Sequence, residues 1–402
     1  MRRSAAAAGG GPLILIGFAE AMAAIETAWS LQSAGFRVAA FRRAGSRPAL
    51  RRVHGVKTYE VPRPEANAAA TIAAVRALCD TLRPGALLPL DDHALWVCSR
   101  LQDAKTPLAG ASGYAADCAL DKSLQLQAAT RAGLPVPPTQ VVDDLAGADP
   151  AGFPVMVKPA RALYEVSGAL ERPTGIVCAN SREFGRAAAR KWPGTVLIQP
   201  LIQGTGEGIF GHATAKGVTG WSAHQRIRMV NPQGSASSAC RSQEVDKDLV
   251  EPSERFLTAI GWRGLFMLEF LRDSEGKPWF MELNGRAWGS MALARRRGFE
   301  YPAWTVRASL ESAFGPSPPP QPPEIVCRHL GLELVHLAFV ARGPQSAAAM
   351  EWPRLGRAVR DVCTFASRDR LYNWNRSQPA VLLTDTWGTL RDYACKIVGH
   401  RQ

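Results

Sequence analysis

Two periodicities take turns along the first hundred residues. Leu13–Gly17 is an apolar run of strand length, Ala21–Ala34 carries apolar residues at helical spacing and stops at Gly35, and Arg37–Phe41 reads as a second strand. A helical stretch over Ala68–Leu82 and a further apolar run at Ala86–Pro89, followed by Asp91-Asp92, continue the order. Short apolar strands alternating with helices predict a parallel, Rossmann-like sheet with ligands near its strand C-termini. The residues after Gly17 are Phe-Ala-Glu-Ala-Met, so the glycine-rich dinucleotide fingerprint is absent. This unit is expected to be a scaffold that supplies a few substrate contacts.

A second unit begins near Leu120. Asp121 is placed as the N-cap of a helix running from Lys122-Ser123-Leu124-Gln125-Leu126, and Gly133 with Pro135 closes it. Phe153–Lys158 and Thr195–Gln199 read as strands, Ser181–Lys191 as a helix, and Leu265–Leu283 as an antiparallel hairpin. The proline-rich run Pro316–Pro323 admits neither a helix nor a central strand, and Glu324–Gln402 is expected to be an appended helical segment. The expected units are therefore 1–118, 119–315, the linker 316–323 and 324–402.

Composition narrows the function. A chain of 402 residues with 46% hydrophobic and 21% charged residues is a folded protein of two or three domains, and no apolar run approaches the length of a membrane span. The net charge is +13, but the arginines are scattered without interleaved aromatics, which argues against nucleic acid and for a small anionic nucleotide or carboxylate. None of the eight cysteines forms a CxxC pair, and the seven histidines show neither HxxxH nor HExxH, so disulfide frameworks, zinc ribbons and zinc hydrolases lack support. The basic start Met1-Arg2-Arg3-Ser4 is read as a tail ahead of the strand Leu13–Gly17 rather than a cleaved leader, which predicts a cytoplasmic protein.

The hairpin carries the most telling local geometry. With Glu275-Gly276 as a two-residue turn, Glu269 faces Glu282 and Met267 faces Asn284, and strand alternation puts Glu269, Glu282 and Asn284 on one face. Their neighbours are Phe, Leu and Met. Two carboxylates opposed in an apolar setting repel unless a cation lies between them, and this oxygen set suits Mg²⁺ or Mn²⁺, the alternative being a solvated hairpin edge with two surface carboxylates.

Taken in order, Asp121-Lys122, the stretch Phe153-Pro154-Val155-Met156-Val157-Lys158-Pro159, the stretch Ile198-Gln199-Pro200-Leu201-Ile202-Gln203-Gly204, Glu269 and then Glu282-Leu283-Asn284-Gly285-Arg286 resemble the ATP-grasp superfamily. Within it the chain looks most like the carboligases related to biotin carboxylase and the carbamoyl-phosphate synthetase large subunit. The resemblance implies an α/β chain: a Rossmann-like N-terminal domain, a two-part α+β ATP-grasp domain and a C-terminal helical extension. It implies that Lys122 and Lys158 contact phosphates, that the Gln199 carbonyl and the Leu201 N–H hold adenine, and that Glu207 contacts ribose, a plain loop being the alternative for Glu207. Glu269, Glu282 and Asn284 would bind the metal, and Arg286 would stabilise the transferring group.

Arg226 and Arg228 alternate along one strand before a Gly/Ser-rich loop through Gly234-Ser235, a pattern that fits a clamp on an anionic substrate and equally a solvated basic edge. The chemistry implied is an ATP-dependent carboxylate–amine ligation through an acyl phosphate, with small-molecule acid and amine as partners, neither nucleic acid nor membrane, and a homodimer as the possible assembly. The alternatives are a carboxylase that uses bicarbonate and an ATP-binding module without catalysis.

Overall fold

A computed structural model of the protein describes residues 10–101, 105–234, 236–344 and 352–399; the tail Met1–Ser4 and loop residue Ser235 lie outside them. The first unit contains β1 (Leu13–Gly17), α1 (Ala24–Ser33), β2 (Arg37–Arg43), a 3-10 turn at Ala49–Arg52, β3 (Lys57–Val61), α2 (Ala68–Leu82), β4 (Ala86–Pro89) and α3 (Asp92–Cys98). Its four strands are all parallel, in the order β3-β2-β1-β4. The strand β3 was not foreseen, because Lys57-Thr58-Tyr59-Glu60-Val61 alternates without a wholly apolar run.

The chain then passes through α4 (Tyr114–Leu120) into α5 (Lys122–Ala132). Asp121 caps α5 as expected, accepting the N–H groups of Ser123 and Leu124, and Gly133 ends it at φ +84°. Next come β5 (Gln140–Val142), β6 (Val155–Pro159), β7 (Tyr164–Val166), β8 (Ala169–Glu171), β9 (Ile176–Cys178), α6 (Ser181–Ala188) and β10 (Val196–Pro200). Four of these strands form a small antiparallel sheet, β5-β10-β6-β9. The β7–β8 hairpin docks on the first unit, where Leu170 N–H donates to the Pro64 carbonyl and Ala68 N–H to that of Gly168, both at 2.8 Å.

The large sheet is built from β11 (Thr205–Thr214), β12 (Gly217–Met229), β13 (Ser237–Gln243), β14 (Gly264–Arg272) and β15 (Pro278–Asn284), with α7 (Lys247–Ala259) between β13 and β14. Strands β11, β14 and β15 bury Ile209, Leu268, Phe270, Phe280 and Leu283 against Leu126 of α5 and Leu249 and Phe256 of α7. After the sheet come α8 (Met291–Arg296) and α9 (Tyr301–Leu310).

The segment beyond the prolines is helical as expected, in α10 (Leu330–Arg342), α11 (Leu355–Cys363) and α12 (Pro379–Gly399). It is more than an appendage. Its β16 (Val326–Arg328) pairs with β13, and β17 (Asp369–Leu371) pairs with β16, so the large sheet runs β15-β14-β11-β12-β13-β16-β17. Three-residue strands leave no readable period in a sequence, which is why these two were missed.

A buried acid fastens the first unit to the rest. Glu26 of α1 is 1% exposed and accepts from Arg295 at 2.6 Å, from Arg296 at 3.0 Å and from the Asn373 N–H at 3.0 Å. Replacing it would leave Arg296 with no carboxylate among the described residues and Arg295 with Glu300 alone, in a nearly closed site. Glu26→Ala is expected to lower stability by about 3–5 kcal/mol, the usual loss on breaking a buried ion pair. Urea unfolding of the variant beside the parent checks this, and an unchanged midpoint would refute it.

Candidate active site

The β14–β15 hairpin keeps the expected carboxylate pairing by a different route. Its turn is a three-residue loop, Ser274–Gly276, in which Asp273 N–H donates to the Lys277 carbonyl at 3.1 Å and Gly276 sits at φ +83°. This is the geometry of a hairpin closed by a left-handed glycine rather than a two-residue turn. Close to the turn the register is therefore shifted by one, with Phe270 opposite Phe280. A bulge at Met281 inserts one residue and shifts it back, so Glu269 faces Glu282 and Met267 faces Asn284. The two offsets cancel at Glu269 and Glu282.

Cations arrive at both carboxylates from other elements. Lys122, the first residue of α5, places its ammonium 2.7 Å from Glu282, and Arg226 of β12 places its guanidinium 2.6 Å from Glu269. Burial pushes the Glu282 carboxyl up, but Lys122, then Arg286 and Lys158, outweigh it and hold the group at about 2. Glu269 goes the other way: burial raises it, and the Glu282 charge adds to the rise against the pull of Arg226. Asn284 is buried beside them, its amide 3.5 Å from Glu282.

Room for these long side chains comes from glycines on β11. Gly208 pairs with Glu269 on one side and His224 on the other, so all three share a face. A Cβ on Gly206 would lie 2.7 Å from Arg226 Cδ, and one on Gly208 would lie 2.8 Å from His224 Nε2. Gly285 is as constrained, since a Cβ there would meet the Trp262 ring at 2.4 Å and Ala119 at 2.7 Å.

Lys158 enters from the small sheet, where β6 pairs it with Leu197 of β10. Its amine is shifted down to about 8, first by burial and then by the Lys122 charge, with Glu282 and Glu269 acting in opposition. Among the described residues no carboxylate lies within ion-pair distance of it. Lys158 thus faces the carboxylate hairpin across the gap between the two sheets, as a cation with capacity for an incoming anion.

At the hinge the structure corrects the expected adenine contacts. Leu201 N–H donates to the Pro154 carbonyl at 3.0 Å, and the two-residue alternation of the antiparallel ladder puts Gln199 in the same kind of pair with Met156. Both backbone groups therefore point toward β6. The Gln199 side chain donates to Thr139 Oγ1 at 2.7 Å. The Pro200 carbonyl is directed away from β6, on an edge that β5 leaves open because it pairs only with Val196–Ile198.

Two further expected residues are placed elsewhere. Glu207 neighbours Gly208, so it points to the opposite face of the sheet from Glu269, where Arg272 grips its carboxylate at 3.0–3.1 Å. Arg228 is separated from Arg226 by a bulge, Arg226 facing Cys240 and Arg228 facing Ala239. Its guanidinium pairs with Glu333 of α10 and donates to the Asp361 carbonyl. Arg228 is a strut for the C-terminal segment, and Arg226 is bound to a site carboxylate rather than poised as a clamp.

The site also contains residues that sequence reasoning missed. Arg286 donates to Asp92 of α3 at 3.1 Å, and Arg172, just past β8, reaches the other oxygen of Asp92 at 3.0 Å. One acid from the first unit thus joins the large sheet to the β7–β8 hairpin. The Asp91-Asp92 pair after β4 was visible, but nothing in the sequence pointed it at Arg286. Gln125, 1% exposed in α5, accepts the Leu283 N–H at 2.8 Å and donates to the Cys118 carbonyl at 2.8 Å. It fixes the backbone between Glu282 and Asn284.

Solved structures share this architecture. The chain is similar to an L-amino acid ligase from Bacillus licheniformis, with TM-score 0.59 and 17% identity over 75% of this chain and 74% of the other. It is similar to a biotin carboxylase from Campylobacter jejuni solved with β,γ-ATP, with TM-score 0.60 and 17% identity over 76% and 72%. A PurK protein, N5-carboxyaminoimidazole ribonucleotide synthetase solved with ADP, matches with TM-score 0.60 and 12% identity over 87% and 95%. The chain has the ATP-grasp fold. No protein-family model matches the sequence, and no curated protein does either. Among the described residues no helix is long and apolar enough to cross a membrane.

The position of Lys158 makes a direct prediction. Its amine should titrate near pH 8, well below an ordinary lysine, and Lys122→Met should move that titration upward. The variant removes a neighbouring cation and leaves Glu282 without its partner, and both changes favour the Lys158 ammonium. Reactivity of Lys158 toward an acylating reagent across pH 6–11, read by peptide mass spectrometry, checks this. An ordinary lysine profile would refute it.

Proposed function

We propose that this protein is an ATP-dependent carboxylate–amine ligase that works through an acyl phosphate and releases ADP and phosphate. One observation carries the reading: Lys122, Lys158, Arg226 and Arg286 converge on Glu269, Glu282 and Asn284 in the gap between the two sheets. Cations and hard oxygen donors facing each other are what a polyphosphate and its counter-ion require. The similar structures include an L-amino acid ligase and enzymes solved with ADP or MgADP, which supports the reading.

Adenine would rest on the open edge of β10, with the Pro200 carbonyl as acceptor. Lys158 would meet the phosphate chain, and Lys122 would exchange part of its bond to Glu282 for a phosphate oxygen. The donor set Glu269, Glu282 and Asn284, three oxygens on one face in neighbouring registers, fits Mg²⁺ or Mn²⁺. Such an ion, when bound, neutralises phosphate charge during transfer.

The substrate carboxylate attacks the γ-phosphorus, the bond to the β-phosphate bridging oxygen breaks, and ADP leaves. Arg286, held by Asp92, presents its fork to the phosphoryl group or to the acyl phosphate. The amine nitrogen then attacks the acyl carbon, loses a proton, and phosphate departs as the C–N bond forms. Bicarbonate is a carboxylate to this site as well, so a carboxylase is the second outcome of the same test. ADP release should be screened with Mg-ATP against pairs of amino acids and small acids, bicarbonate included. Stimulation by an acid–amine pair supports the ligase, and stimulation by bicarbonate alone favours the carboxylase. Intact ATP with every pair would refute both.

Two substitutions separate binding from chemistry. Glu282→Gln is expected to abolish ADP release while a fluorescent ATP analogue still binds within about tenfold of the parent, since the loss falls on transfer rather than on the adenine hinge. Undiminished turnover would remove Glu282 from the metal set. Arg286→Lys should reduce turnover at saturating ATP by orders of magnitude with the ATP dissociation constant nearly intact, because an ammonium cannot form two parallel hydrogen bonds. Equal losses in both measurements would place Arg286 on the nucleotide instead.

A further inference from the structure

Between the first unit and the C-terminal segment lies a groove that shares no residue with the cleft described above. It is a cavity of about 360 Å³ lined by Arg47, Pro48, Arg51 and Arg52 from the first unit and by Thr384, Trp387, Gly388 and Arg391 from α12. The 3-10 turn at Ala49–Arg52 supplies one wall and α12 the other, so the groove exists only because the C-terminal helix returns to the N-terminal sheet.

Its chemistry is one-sided. Four guanidiniums surround it, and Arg391 alone among them has a carboxylate within ion-pair distance among the described residues, Asp392 at 3.0 Å. Arg43 of the same unit, by contrast, has Glu20, Glu65 and Asp91 within ion-pair distance. Trp387 leaves 70% of its surface in solvent at the rim. Gly388, inside α12, keeps the floor open: a Cβ there would meet nothing within 4 Å. Glycine is a poorer helix former than alanine, and no close neighbour requires it here.

We propose that this groove is a second anion site, which takes a small phosphorylated molecule carrying a planar ring. The unpaired guanidiniums of Arg47, Arg51 and Arg52 receive the phosphate oxygens through forked hydrogen bonds, and the Trp387 indole offers its face to the ring. The volume falls within the range of small-molecule sites. The site is independent of the reaction read in the cleft.

The test uses the full chain labelled with 5-fluorotryptophan. The chain has 11 tryptophans, and the Trp387 resonance is assigned by its absence in Trp387→Phe. Titration with AMP should shift that resonance saturably, with adenosine and inorganic pyrophosphate each at least tenfold weaker. The double variant Arg51→Glu/Arg52→Glu should weaken the AMP response at least tenfold, Gly388→Leu should do the same by filling the floor, and Lys158→Ala in the cleft should leave it unchanged. Equal circular dichroism and melting temperature show that each variant is folded, and the two groove variants fail independently. The proposal is overturned by a shift that does not saturate, by one that survives both groove variants, or by adenosine or pyrophosphate matching AMP. Sedimentation with phosphatidylglycerol vesicles is expected to leave the protein in solution; sedimentation abolished by Arg51→Glu/Arg52→Glu would overturn the small-molecule reading in favour of a lipid surface.

Discussion

Two carboxylates, Glu269 and Glu282, stand opposite one another on adjacent strands in a setting built of Phe, Leu and Met. Like charges this close do not persist in low dielectric without cations beside them. The fold around them reads as the answer to that constraint. Lys122 comes from the first turn of a helix held in place by the Asp121 cap, Arg226 comes along a strand whose neighbour has glycine where a side chain would block it, and Lys158 comes from a separate sheet. None of the three lies within 40 residues of either carboxylate in sequence, the shortest separation being 43, from Arg226 to Glu269, so the cluster exists only in the folded chain.

The same logic ties the first unit to the site. Arg286 follows the hairpin directly, but its orientation is set by Asp92 from the parallel sheet, which Arg172 also grips. Glu26 does a comparable task a short way along, holding Arg295 and Arg296 of α8. Buried acids of the first unit are thus matched to arginines that follow the large sheet. A parallel sheet without a dinucleotide fingerprint is here a platform that aims the arginine of another unit.

The C-terminal segment takes part through the sheet rather than through the cleft. By adding β16 and β17 it covers the edge that β13 would otherwise expose, and an uncovered edge is an aggregation risk. The buried Arg328 on β16 and Arg228 on β12 share Glu333, with Ser238 bonded to the same carboxylate at 2.7 Å. That network draws Arg228 away from any substrate. Tyr372 and Asn373 pack beneath α8 in the same way, Asn373 through Glu26, so this stretch is a piece of the core.

The sequence by itself determined what depends on neighbours in the chain. Alternating apolar runs set the parallel sheet, Asp121 and Gly133 bounded α5, and strand alternation put Glu269, Glu282 and Asn284 on one face. Even there the pairing survived only because a longer turn and a bulge at Met281 offset each other, a cancellation that no local pattern announces. Tertiary structure decided everything that depends on which face or edge meets which element. It turned Glu207 to the far side of its strand, gave Arg228 to Glu333, turned the Leu201 N–H into the ladder with Pro154, and chose Asp92 and Gln125 as supports. The physical reason is that side-chain direction follows from local period, whereas a partner is fixed by the packing of segments far apart in sequence.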